Sequence, residues 1–241
     1  MKTTDYIRSM LKRLPRGYVF TYEDFLVDVK SKEATIKALN RMAKSGKIAK
    51  LSKGKYYKPE QSVFGDLAPE QYQVVKDLLE VNNKTIGYLT GLSIYHQLGL
   101  TTQVSNTIQI GKNEVRPTFQ RGRYKIAFIR QKNTITKENI PHLQLLDAIK
   151  YVKKIPDTTI AKACIRFMAI LKEKSIEEIK TMVRLSLKYP PSTRALLGAL
   201  LQEIGEDKYL ERLQNSLNQI TKYPIEGVSQ VVGTTDNWNI E

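Results

Sequence analysis

The sequence predicts a mixed α+β fold that is mostly helical, and three observations support this class. Apolar residues recur at helical spacing along most of the chain. Residues 47–51 and 124–130 instead alternate with a period of two, which is typical of strands. The 241 residues, 41% of them hydrophobic, can bury the cores of two or three small domains. The expected divisions are an N-terminal domain at 1–60 and a second domain at 66–241, made of an α+β part at 66–135, a helical part at 140–224 and a loose tail at 225–241.

Positive charge is concentrated near the N-terminus. The chain has 39 Lys+Arg against 24 Asp+Glu, a net charge of +15. Residues 1–58 hold 15 basic and 5 acidic residues, so they account for +10 of it. A concentrated excess of this kind indicates a surface that binds a polyanion, most commonly nucleic acid. A solvated lysine-rich face is the alternative.

The first 58 residues follow the order helix, short strand, helix, helix, hairpin. Thr21 is placed to cap the second helix and Ser31 the third, while Gly46 can end the third in a left-handed conformation. Gly54 permits a tight hairpin turn. This order predicts a winged helix-turn-helix. The expected elements are helices at 6–14, 22–27 and 32–45, a strand at 19–21, and a hairpin of 47–51 with 56–58.

The third helix and the hairpin carry the candidate DNA-binding residues. On a helical wheel Ile36, Leu39 and Ala43 share one side, so the opposite side, which includes Ala38, is expected to face outward. Alanine lets a helix approach a groove closely, and Lys or Arg can reach phosphates and guanine edges. An RNA-binding or protein-binding module stays possible. The candidates are Lys37, Arg41 and Lys44 on the helix, with Lys50, Lys53, Lys55 and Lys58 beside Tyr56 in the hairpin.

The rest of the chain predicts further helices and a small sheet. Strands are expected at 107–110 and 124–130, with a basic turn at Arg121-Gly122-Arg123 that is either an ordinary hairpin tip or a contact with a partner. Pro190-Pro191 separates two of the helices sharply. The expected helices lie at 70–79, 90–98, 140–151, 160–172, 175–189, 192–203 and 209–220.

Catalytic motifs are scarce, so we expect a protein that is not an enzyme and needs no cofactor or metal. The glycine patterns of phosphate-binding loops do not occur. Cys164 has the surroundings of a small buried apolar residue, and His96 has no carboxylate nearby in sequence. A nuclease-like pattern links Asp157 to Glu178 and Lys180. On a helix, however, Glu178 and Lys180 project about 200° apart, which does not suit a shared metal.

Cellular location is inferred from what the chain contains. A single cysteine excludes an internal disulfide, and no export signal or membrane-spanning segment is recognised. We therefore expect a cytoplasmic protein that does not enter a membrane.

Two segments resemble AbiEi-type antitoxins of type IV toxin–antitoxin systems, which act in abortive infection and phage defence. The N-terminal segment runs from Arg16-Gly17-Tyr18-Val19-Phe20-Thr21 through Asp24-Phe25, Ala38-Leu39-Asn40-Arg41-Met42 and Gly46-Lys47-Ile48 to Lys53-Gly54-Lys55-Tyr56-Tyr57-Lys58-Pro59. The second runs from Tyr88-Leu89-Thr90-Gly91-Leu92-Ser93 to Leu98-Gly99-Leu100-Thr101-Thr102-Gln103-Val104.

The resemblance implies an autoregulatory repressor. The N-terminal domain would bind inverted repeats in double-stranded promoter DNA, as a stable dimer or as two monomers that assemble on the DNA. The second domain would counteract a cognate nucleotidyltransferase-like toxin without necessarily binding it. A winged-helix regulator with a ligand-sensing or dimerising C-terminal domain is the alternative. The DNA-contacting positions that the resemblance implies are Lys32, Thr35, Lys37, Arg41, Lys53, Lys55 and Tyr56.

Overall fold

The computed structural model describes residues 3–26, 31–63 and 65–241, which form two compact units. The first unit comprises Met1–Leu78 with Phe119–Lys125, and the second comprises Leu79–Thr118 with Ile126–Glu241. Both contain helices and strands, so the mixed α+β class predicted from the sequence is confirmed. The first unit extends past the expected boundary at residue 60, because it includes a further helix and a distant hairpin.

The first unit alternates helices with short strands. The expected helix at 22–27 is a 3₁₀ turn, Glu23–Phe25, and its predicted end at Val27 lies outside the described residues. The elements in order are α1 (Thr3–Arg13), β1 (Val19–Phe20), the 3₁₀ turn, α2 (Lys32–Lys44), β2 (Ala49–Ser52), β3 (Lys55–Tyr57), β4 (Glu60–Ser62), β5 (Gly65–Leu67) and α3 (Gln71–Leu79).

The predicted cap and stop of α2 are confirmed. The Ser31 hydroxyl accepts a hydrogen bond from the Ala34 backbone N–H at 3.3 Å, which satisfies one of the free donors at the helix start. Gly46 follows the helix with φ +70°, a conformation that costs glycine little. Thr21 was expected to cap a helix, but the N-cap of the 3₁₀ turn is Tyr22, which provides no capping side chain. The Thr21 hydroxyl still accepts from the Glu23 N–H at 3.2 Å. Ser31 and Gly46 therefore fix where α2 starts and stops.

A three-stranded sheet in the order β1–β3–β2 closes the first unit. All pairs are antiparallel, with Phe20 opposite Tyr56 and Ala49 opposite Tyr57. The β2–β3 turn contains Gly54 at φ +75°, so the predicted hairpin is confirmed. Its sheet packs with α1 and α2 around one buried cluster, formed by Ile7, Leu11, Phe20, Phe25, Ala38, Leu39, Met42, Ile48 and Tyr56.

The hairpin around Arg121 completes the first unit. The Arg121 guanidinium donates to both carboxylate oxygens of Asp77, at 2.6 and 3.0 Å, and to the Val74 carbonyl at 2.8 Å. Lys55 also pairs with Asp77, at 3.2 Å. The Arg121 side chain is only 7% exposed, so it is not part of an exposed basic tip. The charge of Arg121 is compensated by Asp77 within the first unit, whereas Arg123 stays exposed.

The strands of the second unit lie in its N-terminal part, with one short helix among them. β8 (Gly87–Thr90) pairs antiparallel with β9 (Thr107–Lys112), and β11 (Tyr124–Arg130) lies on the other side of β9. The expected helix at 90–98 is shorter than predicted, because Thr90 belongs to β8. The strands are β6 (Glu80–Val81), β7 (Lys84–Thr85), β8 (Gly87–Thr90) and β9 (Thr107–Lys112), then β10 (Phe119–Arg121, in the first unit) and β11 (Tyr124–Arg130), which continues from the first unit into the second.

The helices of the second unit surround a large apolar core. Leu143, Leu146, Phe167 and Leu196 are each completely buried in it. Thr159 and Ser175 cap the starts of two helices with their hydroxyls. The helices are α4 (Leu92–Gln97), α5 (Ile140–Lys150), α6 (Ile160–Lys172), α7 (Ile176–Ser186), α8 (Pro191–Glu203) and α9 (Leu210–Gln214).

A buried carboxylate organises the polar part of this core. Asp147 on α5 accepts hydrogen bonds from the hydroxyls of Tyr88, Thr90 and Tyr189 at 2.8 to 2.9 Å. Burial raises the pKa of Asp147, and the three hydroxyl groups oppose that shift. The Gln131 side-chain amide donates to the Tyr88 and Tyr189 hydroxyls at 2.8 Å each. The network therefore links β8, α5 and the segment after α7 inside one unit.

The expectation of a loose tail at 225–241 is wrong. Trp238 is 1% exposed, and its indole N–H donates to the Gln202 side-chain oxygen at 2.8 Å. Val228 is completely buried, and Ile240 is 5% exposed. The segment contains few regular elements, but its spaced apolar residues reach the core individually. It therefore completes the hydrophobic core of the second unit.

Candidate nucleic-acid interface

A stripe of positive charge lies on the exposed face of α2. Lys37, Arg41 and Lys44 are all exposed, and their i, i+4, i+7 spacing places them within about 60° around the helix. Thr35, Ala38, Leu39 and Met42 form the buried face opposite them. The helix is therefore held by its apolar side and presents its cations outward. We call Lys37, Arg41 and Lys44 the α2 stripe.

The expected orientation of α2 needs a correction. Ala38, predicted to face outward, is 1% exposed, and Thr35 is completely buried. The Thr35 hydroxyl donates to the Ser31 carbonyl at 3.0 Å, so its polar group is satisfied inside the unit. Ile36, which the wheel placed in the core, is half-buried. Thr35 is therefore a packing residue and not an exposed contact.

Of the candidate DNA-binding residues in the hairpin, some are exposed and others are internal. Lys50 and Lys53 are exposed. Tyr56 is 3% exposed, and its hydroxyl donates to the Asn40 side-chain oxygen at 2.8 Å. Burial raises the pKa of Tyr56. Tyr56 was expected to contact DNA, but its ring is in the core because it is the central residue of β3. It joins the hairpin to α2, so its role is to position them.

Three other predicted lysines have partners within the first unit. Lys55 forms the ion pair with Asp77 already described, which neutralises part of its charge. The ammonium of Lys58 donates to the carbonyls of Lys12 and Leu14 at 3.3 and 3.1 Å. Lys32 is exposed, with its ammonium 4.8 Å from the centre of the Tyr22 ring. Of these three, only Lys32 stays fully available to a ligand.

The exposed candidates are not neutralised within the described part of the chain. None of Lys37, Arg41, Lys44, Lys50 and Lys53 forms an ion pair with a described carboxylate. Arg41 makes only a long contact, 3.4 Å, from its guanidinium to a threonine hydroxyl. Five cations on one helix face and one hairpin of the same unit therefore remain free to bind an anion.

Sequence reasoning missed one polar residue of this surface. Asn40 is exposed on α2, three residues after Lys37. Its side-chain oxygen is occupied by the Tyr56 hydroxyl, which leaves the amide N–H₂ group as its free donor. The helical spacing could have indicated that Asn40 is exposed. The contact with Tyr56 could not be predicted, because it depends on the packing of the hairpin.

The residues considered for catalysis have structural roles or lie exposed. Burial raises the pKa of the Cys164 thiol to about 12, so it is not a nucleophile at neutral pH. Glu178 accepts from the Ser175 N–H and hydroxyl at 2.9 and 3.0 Å in a capping box. These bonds and that from Lys174 lower the pKa of Glu178 to about 2. His96 is exposed, and Asp157 has a positive φ of 57°.

Among the described residues, no group of three or more His, Cys, Asp or Glu side chains could hold a metal. Nor does that part of the chain contain a helix with the length and apolar character needed to cross a membrane.

Comparison with known proteins places the chain in a family. Fold and site define a mixed α+β protein of two units, one of which exposes a row of free cations. The chain belongs to a family described as a family of unknown function, DUF6088, whose profile matches residues 6–179. The fold is similar to the crystal structure of the RV2827C protein from Mycobacterium tuberculosis, with a TM-score of 0.61, 13% identity, and coverage of 92% of this chain and 84% of that one. No curated protein matches the sequence.

Proposed function

We propose that the protein is the antitoxin of a type IV toxin–antitoxin system and that its first unit binds operator DNA to repress its own operon. The observation that carries the DNA-binding part is the α2 stripe, whose three cations are exposed and unpaired. In this proposal the first unit is a winged helix-turn-helix. α2 is the recognition helix, and the β2–β3 hairpin is the wing.

The chemistry of the stripe suits the DNA backbone and base edges. Lys and Arg side chains neutralise phosphates and release counterions, which makes binding depend on salt. Arg41 can form a bidentate contact with guanine, and the free amide of Asn40 is a suitable donor to a base. Lys50 and Lys53 extend the same charge onto the wing. If three to five phosphates are neutralised per subunit, log K falls with log[salt] at a slope of about −3 to −5.

The antitoxin part of the proposal rests on the resemblance of residues 88–104 and of the N-terminal segment. The second unit would supply this activity. The antitoxin proposal predicts that the operon also encodes a nucleotidyltransferase-like toxin. Coexpression of the chain with that toxin should restore growth of a host that the toxin alone arrests.

The DNA-binding proposal is tested by removing the α2 stripe. The triple variant Lys37→Ala, Arg41→Ala, Lys44→Ala should bind its own promoter fragment about 100-fold more weakly, because each lost contact costs about 1 kcal/mol. Its salt slope should also be shallower by about 3. Fluorescence anisotropy over a range of salt concentrations measures both quantities.

A second triple variant controls for net charge. Lys84→Ala, Lys137→Ala and Lys172→Ala remove three exposed lysines of the second unit. This variant should bind the promoter with an affinity close to that of the wild type. If the two variants lose the same affinity, or if wild-type binding does not respond to salt, α2 is not the recognition helix. Growth rescue by the stripe variant would show that toxin neutralisation is separable from DNA binding.

A winged-helix regulator that senses a ligand through its second unit is the other candidate. A basic cavity in that unit favours it, as described below. The absence of a toxin gene from the operon, together with intact promoter binding, would support this candidate over the antitoxin.

A further inference from the structure

A cavity in the second unit is lined by four cations. It has a volume of about 370 Å³ and lies between the end of β11, the end of α5 and the start of α8. Residues Arg130, Lys132, Lys150 and Lys188 line it, together with the buried Gln131 and Tyr189. No acidic residue is among the residues that line it. The cavity is therefore a concave surface of a single charge sign.

The four charges have no ion-pair partner in the described part of the protein, although Lys150 lies near enough to the buried Asp147 carboxylate to help lower its pKa. None of the four cations forms an ion pair with a described carboxylate. The Lys188 ammonium donates to the Lys132 carbonyl at 3.3 Å, and the Lys150 ammonium lies 4.7 Å from the centre of the Tyr151 ring. These contacts hold two ammonium groups in place without cancelling their charge. Like charges that face one cavity repel each other, and an anion relieves that repulsion.

The start of α8 adds to the positive potential. Pro190 and Pro191 line the same cavity, and α8 begins at Pro191 and runs for 13 residues. The N-cap residue, Pro190, provides no capping side chain. The positive end of the helix dipole therefore lies at a cavity that already contains four cations.

The buried wall of the cavity is rigid. The Gln131 amide donates to the Tyr189 hydroxyl, which itself donates to the Asp147 carboxylate at 2.8 Å. Asn133 adds a bond from its side-chain amide to the Gln131 side-chain oxygen at 3.1 Å. Because this wall is already ordered, a ligand would bind there with little entropic cost of organising it.

We propose that this cavity binds a small molecule that carries two or more phosphate groups. A compound with three or four negative charges matches the four cations, and the volume lies within the range of about 300–1,000 Å³ that is common for small-molecule sites. The concave shape favours a compact polyphosphate over the extended backbone of a duplex. The proposal does not depend on DNA binding by the first unit. Inorganic polyphosphate and a nucleoside triphosphate share this chemistry.

Calorimetric titration of the full chain with tripolyphosphate and with ATP, at constant ionic strength and without divalent metal, tests the proposal. We expect saturable binding with one ligand per chain. Arg130→Ala with Lys188→Ala should weaken it at least tenfold, and the charge-matched control Lys84→Ala with Lys172→Ala should not change it. Equal affinity for the two probes would show recognition through phosphates alone, and tighter binding of ATP would indicate a nucleotide. Thermal unfolding of both variants checks that they are folded.

Three results would overturn the proposal. The first is no saturable binding of either probe to the wild type. The second is equal binding by the cavity variant and its control. The third is a cavity variant that loses affinity for duplex DNA while its affinity for polyphosphate is unchanged, because the cations would then belong to a DNA surface. The α2 stripe variant should retain polyphosphate binding, which separates this test from that of the proposed function.

Discussion

Substitution of Gly198 by alanine should destabilise the second unit, although alanine is the better helix former. Gly198 lies in the interior of α8, and a Cβ atom at this position would overlap the six-membered ring of Trp238. That ring is 1% exposed, so it has no free space to enter without leaving the core. The steric conflict involves the ring and not the backbone of α8.

Two opposing contributions set the size of the change in the free energy of unfolding. Alanine stabilises a helix interior by about 1 kcal/mol relative to glycine. Removing a buried aromatic ring from its site costs about 3–5 kcal/mol, and the hydrogen bond from the Trp238 indole to Gln202 would be lost as well. The ring term is the larger one, so Gly198→Ala should lower the free energy of unfolding by about 2–4 kcal/mol.

Fluorescence and circular dichroism can separate these two terms. Trp238 is the only tryptophan in the chain, so its emission reports directly on the C-terminal segment. In Gly198→Ala the emission should shift to longer wavelength as the ring becomes exposed. Urea unfolding followed by circular dichroism gives the stability of the same sample.

A double-mutant cycle provides the decisive comparison. In a Trp238→Ala background the ring is absent, so Gly198→Ala should be stabilising by about 1 kcal/mol through helix propensity alone. The effect of Gly198→Ala on the free energy of unfolding thus changes sign between the two backgrounds. If it destabilises both backgrounds equally, or stabilises the wild type without changing its emission, the packing of Trp238 on Gly198 is refuted.

Two further predictions concern stability and pH. Burial raises the pKa of Asp77, but hydrogen bonds and charge from Arg121 and Lys55 outweigh it and lower that pKa. Asp77→Asn should cost about 1 kcal/mol at neutral pH in urea unfolding, because the Asp77 side chain is 41% exposed and water screens its ion pairs. This difference should shrink as the pH falls below about 4. Glu178→Gln removes a capping carboxylate that the Ser175 N–H binds and should cost about 0.5 kcal/mol. That loss should persist at pH 4.5 and disappear as the pH approaches 2, and a difference that does not vary with pH would contradict either prediction.

Local signals in the sequence predicted much of the fold. Ser31 and Gly46 mark the ends of α2 because capping depends on residues only a few positions apart. The helix at 160–172 was predicted with the bounds that α6 has, because its apolar residues follow a regular helical period. The hairpin around Gly54 carries an equally local signal.

Features that depend on distant contacts could not be predicted. Arg121 is internal because of Asp77, which lies 44 positions earlier in the chain, and no local pattern pairs them. Ala38 was placed on the wrong face of α2, and Ile36 is only half-buried, because a wheel of small and apolar residues fits more than one core position. The burial of Trp238 depends on the space that Gly198 leaves on another element.

The residues of the candidate interface also divide into those that the sequence could predict and those that it could not. Exposure of Lys37 and Arg41 could be inferred from helical spacing, since exposed charges on a helix follow its period. The burial of Thr35 and Tyr56 could not, because both are polar residues whose hydroxyls find partners within the first unit. The basic cavity brings together positions 130, 150 and 188, which no sequence pattern connects.

The first unit is discontinuous in the chain, since Phe119–Lys125 belongs to it together with residues up to Leu78. On the ribosome, Asp77 emerges well before the guanidinium of Arg121 that pairs with it. A premature stop codon between these positions leaves a carboxylate and Lys55 without the third member of their cluster. A single crossover that transfers the whole first unit to another gene also carries residues 79–118 of the second unit with it. The two units are therefore expected to be inherited and exchanged together.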